Sequence, residues 1–236
     1  MTTDSPTEPG SLADALTRLR DIRLAIEARN DDAFHARLAE LRRWQSDKVA
    51  RFHQQRAAQY NGADLLDFLT RRFYLNGNWS ELTAQPHTIE ATVGRIVKKD
   101  RPLVIAIELQ AVADSLDRDM ADALLVDPRL PSGRPLDAYS YIRAIRAVGR
   151  QDERQRQIAW LDALIGEVAG YANSKTAWWG FKVVSKPAHA LGMGATYDLL
   201  ADGFAAMRAC HDMPVATRGV VDAQKTRLER LLGPCT

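Results

Sequence analysis

The sequence predicts an all-α protein, a compact bundle of about eight to ten helices in a single domain. Three observations predict it. Apolar residues recur at three- and four-residue intervals through most segments between Ser11 and Leu232, the spacing of a helix with one buried face. Prolines and glycines mark most of the ends of those segments, where helices stop. The one β-branched run that could pass for a strand, Leu103-Val104-Ile105-Ala106-Ile107, opens a 3.6-residue pattern that continues for five more turns. Nothing repeats at a fixed period, so a solenoid is not expected.

In order, residues 1–10 read as a disordered leader, small, polar and interrupted by Pro6 and Pro9. Ser11 is placed to cap a helix whose apolar face is Leu12, Leu16, Leu19, Ile22 and Ile26. Asn30-Asp31-Asp32 offers the next cap. A long helix, roughly 31–58, follows with Phe34, Leu38, Leu41, Trp44, Val49 and Phe52. The stretch from Asp64 to Tyr74 reads as a short amphipathic helix stopped at Asn76-Gly77 and closed by Trp79, a buried hinge. Ile89, Val93, Ile96 and Val97 form the face of another helix, with Lys98 and Lys99 suited to its C-terminal end.

The strongest helix covers about 103–126, with the stripe Ile105, Leu109, Val112, Leu116, Met120 and Leu124. Residues 127–135 hold three prolines and a glycine and form the clearest loop, a possible subdomain boundary. Helices follow at about 136–148 and 151–172, the second carrying Ile158, Leu161, Leu164, Ile165 and Val168. A short apolar segment, 174–186, ends at Pro187. The last helices are expected at 188–210 and 218–232, the final one stopped by Gly233-Pro234.

Composition narrows the function classes. Of 236 residues, 32 are basic and 30 acidic, a balance that makes nucleic acid an improbable partner for the chain as a whole. Only seven of the basic residues are lysines; arginine suits bidentate pairs with Asp and Glu at helix interfaces. Two cysteines, Cys210 and Cys235, imply no disulfide framework and fit a reducing compartment. No apolar signal core and no membrane-spanning run are found, so a cytoplasmic location is expected.

Motifs that would carry chemistry are lacking. There is no nucleophile elbow and no phosphate loop, and Gly192-Met193-Gly194 lacks the third glycine of a dinucleotide fingerprint. Asp32-x-x-His35 is at most half of one carboxylate-histidine unit, so no metal site and no cofactor are expected. Glu108, Asp114, Asp117, Asp119 and Asp122 read as a solvated helix face partnered by arginines such as Arg118. His53, on the long helix, is the one candidate haem ligand if the bundle encloses a tetrapyrrole. Trp178 and Trp179 point in different directions, so one of them can mark a partner surface or a pocket rim.

Phe68-Leu69-Thr70-Arg71-Arg72-Phe73-Tyr74, followed by Asn78-Trp79, resembles the signature of the FFLEELY-motif family of bacterial proteins. Trp44-Gln45, Leu116-Asp117, Arg156-Gln157-Ile158, Pro187-Ala188, Leu191-Gly192 and Gly203-Phe204-Ala205-Ala206-Met207 resemble family positions in the same order. Thr70 stands where the family has a leucine, and Arg71 and Arg72 where it has two acids, as in a divergent member. The resemblance implies an all-helical fold and supplies no catalytic residue. The reversed charge at Arg71 and Arg72 implies an exposed face whose partner differs.

The resulting functional expectation is non-catalytic binding of a protein partner or a small apolar ligand, with Trp79, Trp178, Trp179, Arg71 and Arg72 as candidate surface. A haem- or metal-using helical-bundle enzyme built on His53 is the first alternative. Weak nucleic-acid association through Arg42-Arg43 and Arg71-Arg72 is the second.

Overall fold

The computed structural model describes residues 10–96, 100–131, 133–172, 174–175, 179 and 182–233, and of 95, 96, 171 and 172 the backbone alone. Residues 1–9 of the leader expected over 1–10, together with Lys98, Lys99, Trp178, Phe181 and Cys235, lie outside the described residues. In chain order the described residues form α1 (Leu12–Glu27), α2 (Asp32–Gln59) and a short α3 (Ala63–Asp67) that continues as a π-helix over Phe68–Leu75. Then come the short α4 (Ser80–Ala84), α5 (Pro86–Ile96), α6 (Arg101–Leu125), α7 (Ala138–Val148) and α8 (Gln151–Ala172). The chain closes with the short α9 (Ser185–Ala190), α10 (Gly194–Ala209) and α11 (Met213–Leu232). No strand occurs among the described residues, and the all-α expectation holds.

Helix α6 is the axis of the molecule. Helices α1, α2, α7 and α8 pack around it, and apolar residues on all its sides are buried. Val104, Ile107 and Ala111 meet Leu12, Leu16 and Leu19 of α1. Met120 and Leu124 meet Leu41 of α2 and Tyr141, Ala144 and Ile145 of α7. Ile105, Leu109, Val112 and Leu116 meet Trp160 of α8. Each fully buried Leu or Ile contributes about 1.5–3 kcal/mol relative to exposure, so these contacts fix the position of α6.

That central position overturns one expectation. The α6 carboxylates are not all a solvated face: Glu108, Asp114 and Asp117 are buried. Their partners come from other helices rather than from Arg118. Arg18 donates to Glu108 at 2.6 Å, Arg23 to Asp114 at 2.8 Å, and Arg42 to Asp114 at 2.8 Å. A lone buried carboxylate costs several kcal/mol, so the arginines of α1 and α2 are required where α6 loses contact with water. Arg118 pairs instead with its neighbour Asp119.

Helix starts follow their capping residues. Ser11, Asp31 and Asp137 accept from the backbone N–H three residues on, at Asp14, Phe34 and Ser140. The 127–135 loop is anchored from both sides. Leu130 and Leu136 share a buried cluster with Leu41 and Met120, and the Leu136 N–H donates to Glu40 at 2.7 Å.

Three boundaries differ from expectation. The hinge segment is α-helical only as far as Asp67; from Phe68 it widens into a π-helix, closed where the Asn76 N–H donates to the Arg71 carbonyl five residues back. The helix expected over 188–210 breaks at Gly192, whose φ of +74° is the left-handed region, and so divides into α9 and α10. The last helix begins at Met213 instead of 218, with Pro214 in its first turn, where a missing N–H costs nothing.

Candidate functional site

The helices do not close fully on one another. Between α2, the π-helix, α6, α8, α10 and α11 lies a cavity of about 1240 Å³. Each helix presents one face to it at helical spacing. Helix α8 contributes Gln157, Ile158, Leu161, Leu164, Ile165 and Val168. These residues are half-buried: Leu161 and Leu164 pack against the Trp160 cluster, Ile165 and Val168 against the cluster around Phe68 and Met213, and the same stripe lines the hollow. Helix α6 turns Leu109, Ala113 and Leu116 toward the same space, and α10 turns Leu200, Phe204 and Met207.

The π-helix sets the wall nearest α10. Phe68, Leu69, Phe73 and Tyr74 all line the cavity, as the wider turn closed by i→i+5 hydrogen bonds does not separate them onto opposite faces as an α-helix would. Gly203 admits Phe68: a Cβ at Gly203 would sit 2.5 Å from the Phe68 ring. Thr70 turns its hydroxyl back to the Leu66 carbonyl at 2.7 Å, and Ser46 of α2 donates to the Thr70 carbonyl at 2.9 Å. These bonds tether the widened turn to its neighbours.

One region of the lining is polar. Tyr74 donates to Asp117 Oδ2 at 2.7 Å, Gln45 donates to Asp117 Oδ1 at 2.7 Å, and Arg42 approaches Asp117 Oδ2 at 3.4 Å. Tyr141 donates to Gln45 Oε1 at 3.0 Å, which fixes the Gln45 amide. Burial pushes the Asp117 carboxyl up, opposed by Arg42 and by the Tyr74 and Gln45 hydrogen bonds. Burial also pushes the Tyr74 hydroxyl well up, with Asp117 beside it, so it remains a donor at neutral pH.

Arg154 lines the cavity beside this network and is 9% exposed. Its Nε donates to the Gly149 carbonyl at 3.1 Å, while Nη2 is buried without an acceptor among the described residues. Burial pushes its pKa down, the sign of a desolvated cation. Arg227 of α11 also lines the cavity, its guanidinium 6.0 Å from the Tyr141 ring centre. Sequence reasoning missed both arginines. A signal existed: Arg154 precedes Ile158, Leu161 and Ile165 in phase with the apolar stripe of α8, and Arg227 precedes Leu231 by one turn.

The residues singled out from the sequence separate. Trp79 is not a surface residue: it is fully buried among α1, α4 and α5 residues, with its ring edge-to-face on Phe73 at 5.2 Å, and it does not line the cavity. The amphipathic α1 covers it, which the local sequence does not reveal. Trp179 is 67% exposed. Arg71 and Arg72 are exposed, and each faces an acid, Asp67 and Asp202 respectively. Arg42, one of the arginines considered for nucleic acid, is turned inward onto Asp114 and Asp117.

His53 is buried and lines the cavity. Its Nε2 lies 3.2 Å from the Gln224 side-chain amide nitrogen, which donates to it when the ring carries its proton on Nδ1. Burial lowers its pKa, and the nearby Arg56 and Arg227 lower it further. Cys210 lines the cavity as well; burial raises its pKa, so it stands as a thiol rather than a reactive thiolate. Among the described residues no three His, Cys, Asp or Glu side chains converge as a metal site would require, and no helix is long and apolar enough to cross a membrane.

No curated protein and no solved structure matches the chain. One family does. The sequence model described as Domain of unknown function (DUF8198) matches residues 25–232, which span the cavity and most of the helices around it, and the chain belongs to that family.

Proposed function

We propose that this protein is a non-catalytic binder of a small apolar ligand held in the cavity between the helices. The observation that carries the reading is the hollow of about 1240 Å³, lined mainly by Leu, Ile, Val, Phe and Met side chains from the surrounding helices. It exceeds the common range of small-molecule pockets, about 300–1,000 Å³, and has their usual make-up of apolar walls with a few placed polar groups. Support also comes from the residues behind the FFLEELY resemblance, which we propose marks a relationship. Gln45, Phe68, Tyr74, Asp117, Gln157, Gly203 and Met207 all line the cavity.

The test uses a neutral polarity-sensitive dye, N-phenyl-naphthylamine, titrated into the protein. Saturable fluorescence is expected in the wild type, at least tenfold weaker in the cavity-filling variant Leu161→Trp and unchanged in Trp179→Ala. The reverse pattern would favour the exposed Trp179 as a binding surface and would overturn the cavity reading.

A second reading, tetrapyrrole binding at His53, is favoured by the placement of that ring on the cavity wall. Against it, the Gln224 amide stands at Nε2, the nitrogen through which a helix histidine would meet an iron. A haem titration of wild type and His53→Ala decides it. A Soret shift lost in the variant supports the reading, and no shift removes it.

A further inference from the structure

Building on the cavity reading above, we infer that the ligand is a single-chain amphiphile whose anionic carboxylate head pairs with Arg154 and whose apolar tail lies along α8. Three features argue for it. First, the charged lining is one-sided: among the described residues Lys48, Arg56, Arg154 and Arg227 line the cavity and Asp117 is the one acid. The Asp117 oxygens are already engaged by Gln45, Tyr74 and Arg42, so they leave the other cations uncompensated. The chain as a whole is nearly balanced, which makes this segregation a property of the site.

Second, Arg154 is a buried guanidinium short of acceptors. It makes one hydrogen bond, through Nε, and no carboxylate of the described residues lies within ion-pair distance of it. Glu153, its neighbour in the chain, is taken up by Arg150 instead. A planar guanidinium is the side chain best matched to a carboxylate, through two parallel hydrogen bonds. A ligand carboxylate would supply what the fold withholds.

Third, polarity is graded along α8. Arg154 and Gln157 stand at its N-terminal end, and Ile158, Leu161, Leu164, Ile165 and Val168 follow toward the C-terminus. From Ile158 to Val168 the apolar wall runs about 15 Å at ~1.5 Å per residue, long enough for an extended acyl chain of moderate length. Phe204 and Met207 of α10 line the same cavity, and Met side chains adapt to tails of varying shape.

Displacement of N-phenyl-naphthylamine by dodecanoate and by dodecanol, which share a tail and differ in head, tests the assignment. Dodecanoate is expected to bind wild type about ten- to hundredfold more tightly than dodecanol, the worth of a hydrogen-bonded charge pair. Arg154→Gln should reduce that preference to within about threefold, and Arg156→Gln, on the exposed side of α8, should leave both ligands unaffected. Equal affinities in wild type, or a preference that survives Arg154→Gln, overturn the head assignment and leave the cavity reading standing. Failure of both ligands to displace the dye, or of the dye to bind, overturns both. The wild-type comparison decides the matter even if Arg154→Gln does not fold.

Discussion

Tyr74, the last residue but one of the π-helix, donates a 2.7 Å hydrogen bond to Asp117 within the most buried helix. The bond ties the widened segment to the axis of the bundle and seals a buried carboxylate at the cavity wall. Tyr74→Phe should lower unfolding stability by about 1–3 kcal/mol, because Asp117 loses a donor it cannot replace from water. Asp117→Ala should cost more, about 3–5 kcal/mol, since it strips acceptors from Tyr74, Gln45 and Arg42 together. Urea denaturation measures both, and the double variant should cost less than the sum of the two. Strict additivity would mean that the two residues act independently.

Gly203 and Phe68 form the second coupled pair. Gly203→Ala drives a methyl into the Phe68 ring and should destabilise by about 1–3 kcal/mol. In a Phe68→Leu background the same change should be close to neutral, since the smaller side chain leaves room. The double-mutant cycle is the readout. An equal cost in both backgrounds would show that the clash is relieved elsewhere.

The tryptophans should separate by burial. Trp79→Ala removes a fully buried ring and should cost about 3–5 kcal/mol in thermal or chemical unfolding. Trp179→Ala should change stability by no more than about 0.5 kcal/mol. A large loss at Trp179 would contradict its exposed placement.

His53 makes stability depend on pH with a definite sign. Burial favours its neutral ring, so its folded pKa lies below the unfolded value of about 6.5. Between those two values the unfolded chain binds more protons, and the contribution of His53 is therefore present above about pH 6.5 and lost as the pH falls toward the folded pKa. His53→Gln lacks that proton uptake. The stability difference between wild type and His53→Gln should shift against the wild type as the pH is lowered from about 7.5 to 5, measured by urea midpoints at each pH. A constant difference would place the ring in water.

Fold class was legible in the sequence because it rests on local periodicity. The stripe Leu12, Leu16, Leu19 and the caps at Ser11 and Asp31 each need only a few neighbouring residues to state their purpose. The cavity was not legible. The face Ile158, Leu161, Ile165 reads the same whether it meets another helix or a hollow, because apolar patterning records avoidance of water and not contact. The fate of Asp114 and Asp117 was hidden for a related reason, since their arginines come from α1 and α2, more than 70 residues away in the chain.

By itself, then, the sequence determined helices, their approximate ends and the amphipathic faces that must leave water, all through interactions within a turn or two. Only the tertiary structure decided which of those faces meet. Its arrangement seals Trp79 under α1, turns Arg42 inward to its acids, widens Phe68–Leu75 into a π-turn and leaves Arg154 facing a cavity with no carboxylate of the described residues within ion-pair distance. Those outcomes depend on long-range packing of α6 within its ring of helices, where the burial of one group sets the charge and the space available to the next.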